Sequence, residues 1–61
     1  MCEFDVIING RVMFEDAVYA KMERNAVTVR NVIGESRRFE KCKIVEVDVN
    51  STRLVLSTSK D

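Results

Sequence analysis

Residues 45–57 read Val45-Glu46-Val47-Asp48-Val49-Asn50-Ser51-Thr52-Arg53-Leu54-Val55-Leu56-Ser57. Successive side chains of an extended chain point to opposite faces. Val45, Val47 and Val49 therefore share one face, and Glu46 and Asp48 share the other. Period-two alternation of this kind marks a half-buried strand, with the valines inward and the carboxylates in solvent. Asn50-Ser51-Thr52 supplies turn chemistry. Leu54 and Leu56 then resume the inward positions. Two strands joined by a tight turn are the simplest structure for this stretch.

The same period extends towards the N-terminus. Arg37 to Lys41 predicts a strand around Phe39, and Asn31 to Gly34 a turn in which Gly34 is free to take positive φ. Val27 and Val29 alternate with Thr28 and Arg30. Arg24-Asn25 predicts a tight turn. Before it, Val18, Ala20 and Met22 lie on one face and Tyr19, Lys21 and Glu23 on the other. Glu15-Asp16 interrupts the apolar pattern, leaving Arg11-Val12-Met13-Phe14 as a short strand of its own. Asn9-Gly10 is a strong hairpin signal, because both residues tolerate positive φ. At the start, Cys2, Phe4, Val6 and Ile8 oppose Glu3, Asp5 and Asn9.

Helical periodicity has little support. The expectation is an all-β fold, a small SH3-like barrel of about six short antiparallel strands over residues 1–57. The polar segment 58–61 is expected to fray as a C-terminal tail. A two-layer sandwich would need more chain, and curling into a barrel removes most exposed sheet edges.

The chain has 61 residues, with ten basic and ten acidic side chains and no histidine, tryptophan or proline. A chain this short buries only about 60% of the surface its unfolded form exposes, so a partner subunit is a natural source of extra stability. The missing histidine removes imidazole as base, nucleophile activator or metal ligand. There is no phosphate-binding glycine loop and no nucleophile–base arrangement, so an enzyme is not expected. Charge is balanced, which argues against a polyanion partner. No apolar run reaches the roughly 18 residues of a membrane span, and no signal region is visible, so a reduced cytoplasmic setting is expected.

Cys2 is the leading candidate for chemistry. Removal of Met1 would place a free amine and a thiol on one residue. Amine, thiolate and an adjacent backbone amide make a compact donor set suited to square-planar Ni(II) or Cu(II). Against this stands the commoner fate of a free cysteine, burial on the core face beside Phe4 and Val6. A single thiol is also an incomplete site, and a two-fold dimer would bring two copies of Cys2 together.

The other candidates are weaker. Cys42 lies between Lys41 and Lys43, neighbours that favour a reactive thiolate, but a strand-end thiol with no role is the stronger reading. Glu15 and Asp16 are adjacent and so badly placed as a catalytic pair. Glu46 and Asp48 share a face that alternation already explains. Arg37-Arg38-Phe39, with Lys41 and Lys43 nearby, is the one basic stretch with an aromatic, the combination a small barrel uses to bind single-stranded RNA. Glu35 and Glu40 dilute it.

Taken together, the Met1-Cys2 start, the Phe4-Asp5-Val6-Ile7-Ile8 strand, the acidic Glu15-Asp16, Val27-Thr28-Val29 leading to Ile33-Gly34-Glu35, and the closing Ile44-Val45-Glu46-Val47-Asp48 and Leu54-Val55-Leu56 resemble the CooT family of small nickel-binding proteins. The likeness covers nearly the whole chain, with cysteine at position two its specific element. It implies an SH3-like barrel, a homodimer, and Ni(II) bound through Cys2. With the cysteine's position and the absence of other soft ligands, the expected function is a nickel carrier that hands the ion to a partner, a possible client being a nickel enzyme. Members of that family have also been labelled RNA-binding, which keeps the Arg37-Arg38-Phe39 alternative in view.

Overall fold

A computed structural model describes residues 2–58. Met1, whose removal matters for the amine donor, and residues 59–61 of the expected tail lie outside them. Six strands follow in chain order: β1 (Phe4–Ile8), β2 (Arg11–Glu23), β3 (Ala26–Asn31), β4 (Ser36–Glu40), β5 (Cys42–Asp48) and β6 (Arg53–Thr58). They form a single sheet in the order β4-β3-β2-β1-β6-β5. The fold is all-β, as the alternation predicts.

The turns follow from residues that accept positive φ. Asn9 (φ 53°) and Gly10 (φ 78°) join β1 to β2 with both central residues left-handed, the pattern of a type I′ hairpin. Arg24 (φ 41°), rather than Asn25, takes the left-handed position between β2 and β3. Lys41 (φ 56°) alone separates β4 from β5, one residue earlier than the strand expected to run through it. Thr52 (φ 51°) closes the turn before β6.

Three expectations are corrected. First, not every neighbouring pair is antiparallel. β1 and β6 run parallel, with Val6 opposite Leu54 and Ile8 opposite Leu56. Parallel neighbours need a long crossover, and β2 to β5 provide it.

Second, Glu15-Asp16 does not end a strand. β2 is one strand of 13 residues. It pairs with β1 through a shifting register, Phe4 opposite Ala17 but Val6 opposite Phe14. The register slips twice, between Phe4 and Val6 and again between Val6 and Ile7, and Asp16 takes φ 62° at the first slip. Bulges bend a strand and increase its twist, and Asp is one of the few residues that accepts this φ at small cost.

Third, the sheet curls without closing into a barrel. β4 and β5 are its two hydrogen-bonded edges. The start of β5 is tied back to the β2–β3 turn, where the Cys42 N–H donates to the Asn25 carbonyl at 3.1 Å.

The core lies inside the curl: Val6, Ile8, Ala17, Val27, Val29, Phe39, Cys42, Leu54 and Leu56 are buried, with Phe4, Phe14 and Ile44 packed against them. No polar side chain is buried among the described residues. The described residues contain no helix, hence none long and apolar enough to cross a membrane.

Candidate functional site

Cys2 is exposed, and Cys42 is buried and unpaired. The two therefore have different fates. Cys42 is 3% exposed, a member of the core, shielded from its lysine neighbours' solvent face. Cys2 does not take the buried place beside Phe4 and Val6 that a structural cysteine would occupy. It precedes β1, and only Glu3 stands between it and Phe4. Two residues of extended chain span at most about 7 Å, so the thiol is anchored close to Phe4.

Phe4 opens onto an apolar groove of about 270 Å³ whose walls include Val18, Ala20, Ile44, Val47 and Leu54. The register explains it. Ala17 is the one residue of β2 paired on both sides, to Phe4 of β1 and to Asn31 of β3. Beyond Ala17 the register slips at Val18, and residues 19–23 keep β3 but have no strand on the β1 side. Ala20 and Met22 sit opposite Val29 and Val27, which are core residues, so they belong to the inner face as expected. They stay exposed because nothing crosses over them.

β5 forms the far wall. Its pairing slips at Val45, with Ile44 opposite Leu56 but Glu46 opposite Val55. The bulge breaks the alternation that placed Val45, Val47 and Val49 together inside. Val47 keeps the inner face opposite Leu54 yet is 57% exposed, because it looks across the open seam. Val45 and Val49 are exposed as well. The adjacent apolar pair Ile44-Val45 is a break of parity visible in the sequence, and it is the signal that could have located the bulge and thus the seam.

The remaining candidates are not drawn together. Glu46 and Asp48 pair with Val55 and Arg53 and share the outer face, as expected. Asp48 is engaged locally: hydrogen bonds from the Ser51 hydroxyl and backbone N–H hold its carboxyl below the usual carboxylate range. Among the described residues no three Cys, Asp or Glu side chains gather where they could hold a metal ion. Cys2 is the one exposed thiol among the described residues.

The basic stretch separates on folding. Phe39 is buried in the core at 8% exposure, so its face is not free to stack on a base. Arg37 pairs opposite Val29 and Arg38 opposite Thr28, which puts them on opposite faces of β4. The Arg37 guanidinium lies 5.2 Å from the Phe39 ring centre. Arg38 donates to Glu40 at 2.6 Å and to Glu23 at 2.9 Å. Those contacts raise the Arg38 pKa, Glu40 contributing most, and hydrogen bonds from Arg38 and Lys21 lower that of Glu23. The charge of Arg38 is thus matched within the sheet by Glu23 and Glu40.

Comparison with models of known protein families finds none that matches this chain, and comparison with curated proteins finds none that matches either.

Proposed function

We propose that this chain is a small metal-binding protein that takes up Ni(II) through the Cys2 thiolate at a homodimer interface and passes it to a client enzyme. The observation that carries the proposal is the exposed Cys2 thiol, two residues in sequence from Phe4, which lines an uncovered apolar groove. A second copy docked over that groove covers Phe4, Ala20 and Val47 and, if the two-fold axis passes beside Phe4, sets two Cys2 thiols near each other. An interface of ordinary size takes about 800 Å² from each partner. That is more than the groove alone supplies, so the β5 edge with Val45 joins it.

The resemblance to the CooT family supports nickel over copper. The donor chemistry fits either: thiolate with amine or amide nitrogen, and no imidazole. An exposed site with few protein ligands also releases metal readily, which suits a carrier rather than a store or a catalyst. The ligand is the thiolate, so the role belongs in a reducing compartment such as the cytoplasm.

Nickel titration followed by thiolate-to-metal charge-transfer absorption tests the reading. Wild type develops the band and saturates. Cys2→Ser loses the band and most of the affinity, whereas Cys42→Ser keeps both. Equal binding by wild type and Cys2→Ser overturns the proposal. The RNA-binding alternative is the weaker reading, since folding buries Phe39 and ties Arg38 to Glu23 and Glu40.

A further inference from the structure

Asparagine stands at four positions: Asn9, Asn25, Asn31 and Asn50. The side-chain amide of an asparagine is open to attack by the backbone nitrogen of the residue that follows it. That nitrogen, once deprotonated, bonds to Cγ, the Cγ–Nδ2 bond breaks, and ammonia leaves behind a five-membered succinimide. Water then opens the ring. Opening at Cγ gives aspartate. Opening at the main-chain carbonyl gives isoaspartate, in which the backbone runs through the former side chain. Water is the only co-reactant. The reaction needs a following nitrogen that is free and a peptide that can turn.

At three positions the fold blocks it. Asn25 precedes Ala26, which is fully buried, and the Asn25 carbonyl accepts the Cys42 N–H at 3.1 Å, so this peptide is pinned. At Asn31 the side chain itself is held. Its Oδ1 accepts from the Ile33 and Glu35 N–H groups at 3.2 and 2.9 Å, and its Nδ2 donates to the Glu35 carboxylate at 3.0 Å. At Asn50 the attacking nitrogen is occupied, because the Ser51 N–H donates to the Asp48 carboxylate at 3.2 Å.

Asn9 has none of these restraints. Asn9 and Gly10 are both exposed and form the two-residue turn between β1 and β2. The ladder closes through the flanking pair, Ile8 and Arg11, and leaves the Gly10 nitrogen out of it. Among the described residues no hydrogen bond engages the Asn9 side chain or the Gly10 N–H. A Cβ built on Gly10 would meet nothing within 4 Å, so the peptide has open space in which to turn. Ring closure takes Asn9 out of its turn geometry, and an exposed hairpin tip is where a native structure opens at little cost.

We infer that Asn9 is a site of spontaneous covalent modification in the folded chain, and that its isoaspartyl product unlocks the β1–β2 hairpin. The two products differ in effect. Aspartate keeps the backbone and accepts the left-handed region, adding only a negative charge to a chain whose formal net charge is zero. Isoaspartate adds a backbone atom to a loop whose length and turn type fix the strand register. The loop serves the middle of the sheet. β1 lies between β2 and β6, and Ile8, a core residue, pairs with Arg11 on one side and Leu56 on the other. The reaction involves neither Cys2 nor nickel and is independent of the metal reading.

The test is incubation of the full chain in warm, mildly alkaline buffer without nickel. Products are located by peptide mapping with mass spectrometry and by labelling with an isoaspartate-specific methyltransferase. Asn9 is expected to react at least tenfold faster than Asn25, Asn31 or Asn50. Asparagine before glycine is the quickest pair in any chain, so a second measurement isolates the part played by the fold. Unfolding in urea is expected to speed Asn50 by at least threefold more than it speeds Asn9. The isoaspartyl form, purified by chromatography, should melt below the parent, while Asn9→Asp melts close to it. Asn9→Gly, which accepts the same φ, should keep the wild-type circular dichroism and give no product at the turn. The inference is overturned if Asn9 reacts no faster than Asn31 or Asn50 in the folded chain, if urea speeds Asn9 as much as Asn50, or if the isoaspartyl form melts with the parent.

Discussion

Asp48 and Thr52 show two opposite uses of a single residue in one turn. Asp48 is bonded to Ser51 as a carboxylate and its pKa is lowered on folding. A carboxyl lowered on folding stabilises at all pH values above its unfolded pKa, roughly 4, and that contribution disappears as pH falls through the folded value. Glu23, held down by Arg38 and Lys21, acts in the same direction. Acid unfolding followed by circular dichroism should therefore begin as pH drops below the ordinary carboxylate range. Asp48→Asn should lose stability at neutral pH and show a shallower decline below pH 4 than wild type. An unchanged acid limb in the variant would remove Asp48 from the account.

Thr52 works against the turn. A β-branched residue at φ 51° is strained, though its backbone is needed there because its carbonyl accepts the Asp5 N–H at 2.9 Å. Asn tolerates this φ, so Thr52→Asn should raise unfolding free energy by about 0.5–1 kcal/mol in urea titration. Asn9-Gly10 was legible in the sequence because its chemistry names its φ. Arg24, Lys41 and Thr52 were not, since nothing in an Arg, Lys or Thr side chain asks for the left-handed region. There the fold imposes it.

At the scale of the strand, alternation carried the reading as far as local pairing extends and failed at each bulge. Val27, Val29, Leu54 and Leu56 are buried as their parity demands. Leu56, 2% exposed at the centre of the core, should cost about 2–5 kcal/mol when changed to Ala, measured by urea unfolding. By contrast β2 read as two strands because a bulge at Glu15-Asp16 and a turn there share the same polar composition. What tells them apart is the bend, which depends on β1 and β3 leaving β2 on opposite sides of Ala17. That is a tertiary fact, and the apolar groove follows from it. The candidate site was accordingly half visible. Cys2 stood out by position, while the groove that gives it a setting depends on the bulge at Val45 and on the parallel pairing of β1 with β6, which no local pattern encodes.

For the whole molecule the question is how a 61-residue sheet with an open seam stays folded. Small chains sit near the limit of a self-sufficient core, and here part of the inner face, Ala20, Met22 and Val47, is left in solvent. The proposed second copy over the seam would bury these side chains. Binding of folded chains to each other favours the folded state by mass action, so the melting temperature of a dimer rises with protein concentration. Wild type should melt several degrees higher at 500 μM than at 5 μM, and sedimentation equilibrium should give a dimer at the higher concentration. Val47→Lys places a charge at the centre of the seam on a side chain already in solvent, so the monomer fold should survive with its circular dichroism unchanged. Its melting temperature should no longer depend on concentration, and its mass should be that of one chain. A wild type that is monomeric throughout would dispose of the dimer. A wild-type dimer that Val47→Lys leaves intact would keep the dimer but move its interface away from the seam and from Cys2. Nickel stoichiometry then discriminates further: a shared site gives one ion per two chains, and that ratio should shift or vanish in Val47→Lys even though Cys2 itself is untouched.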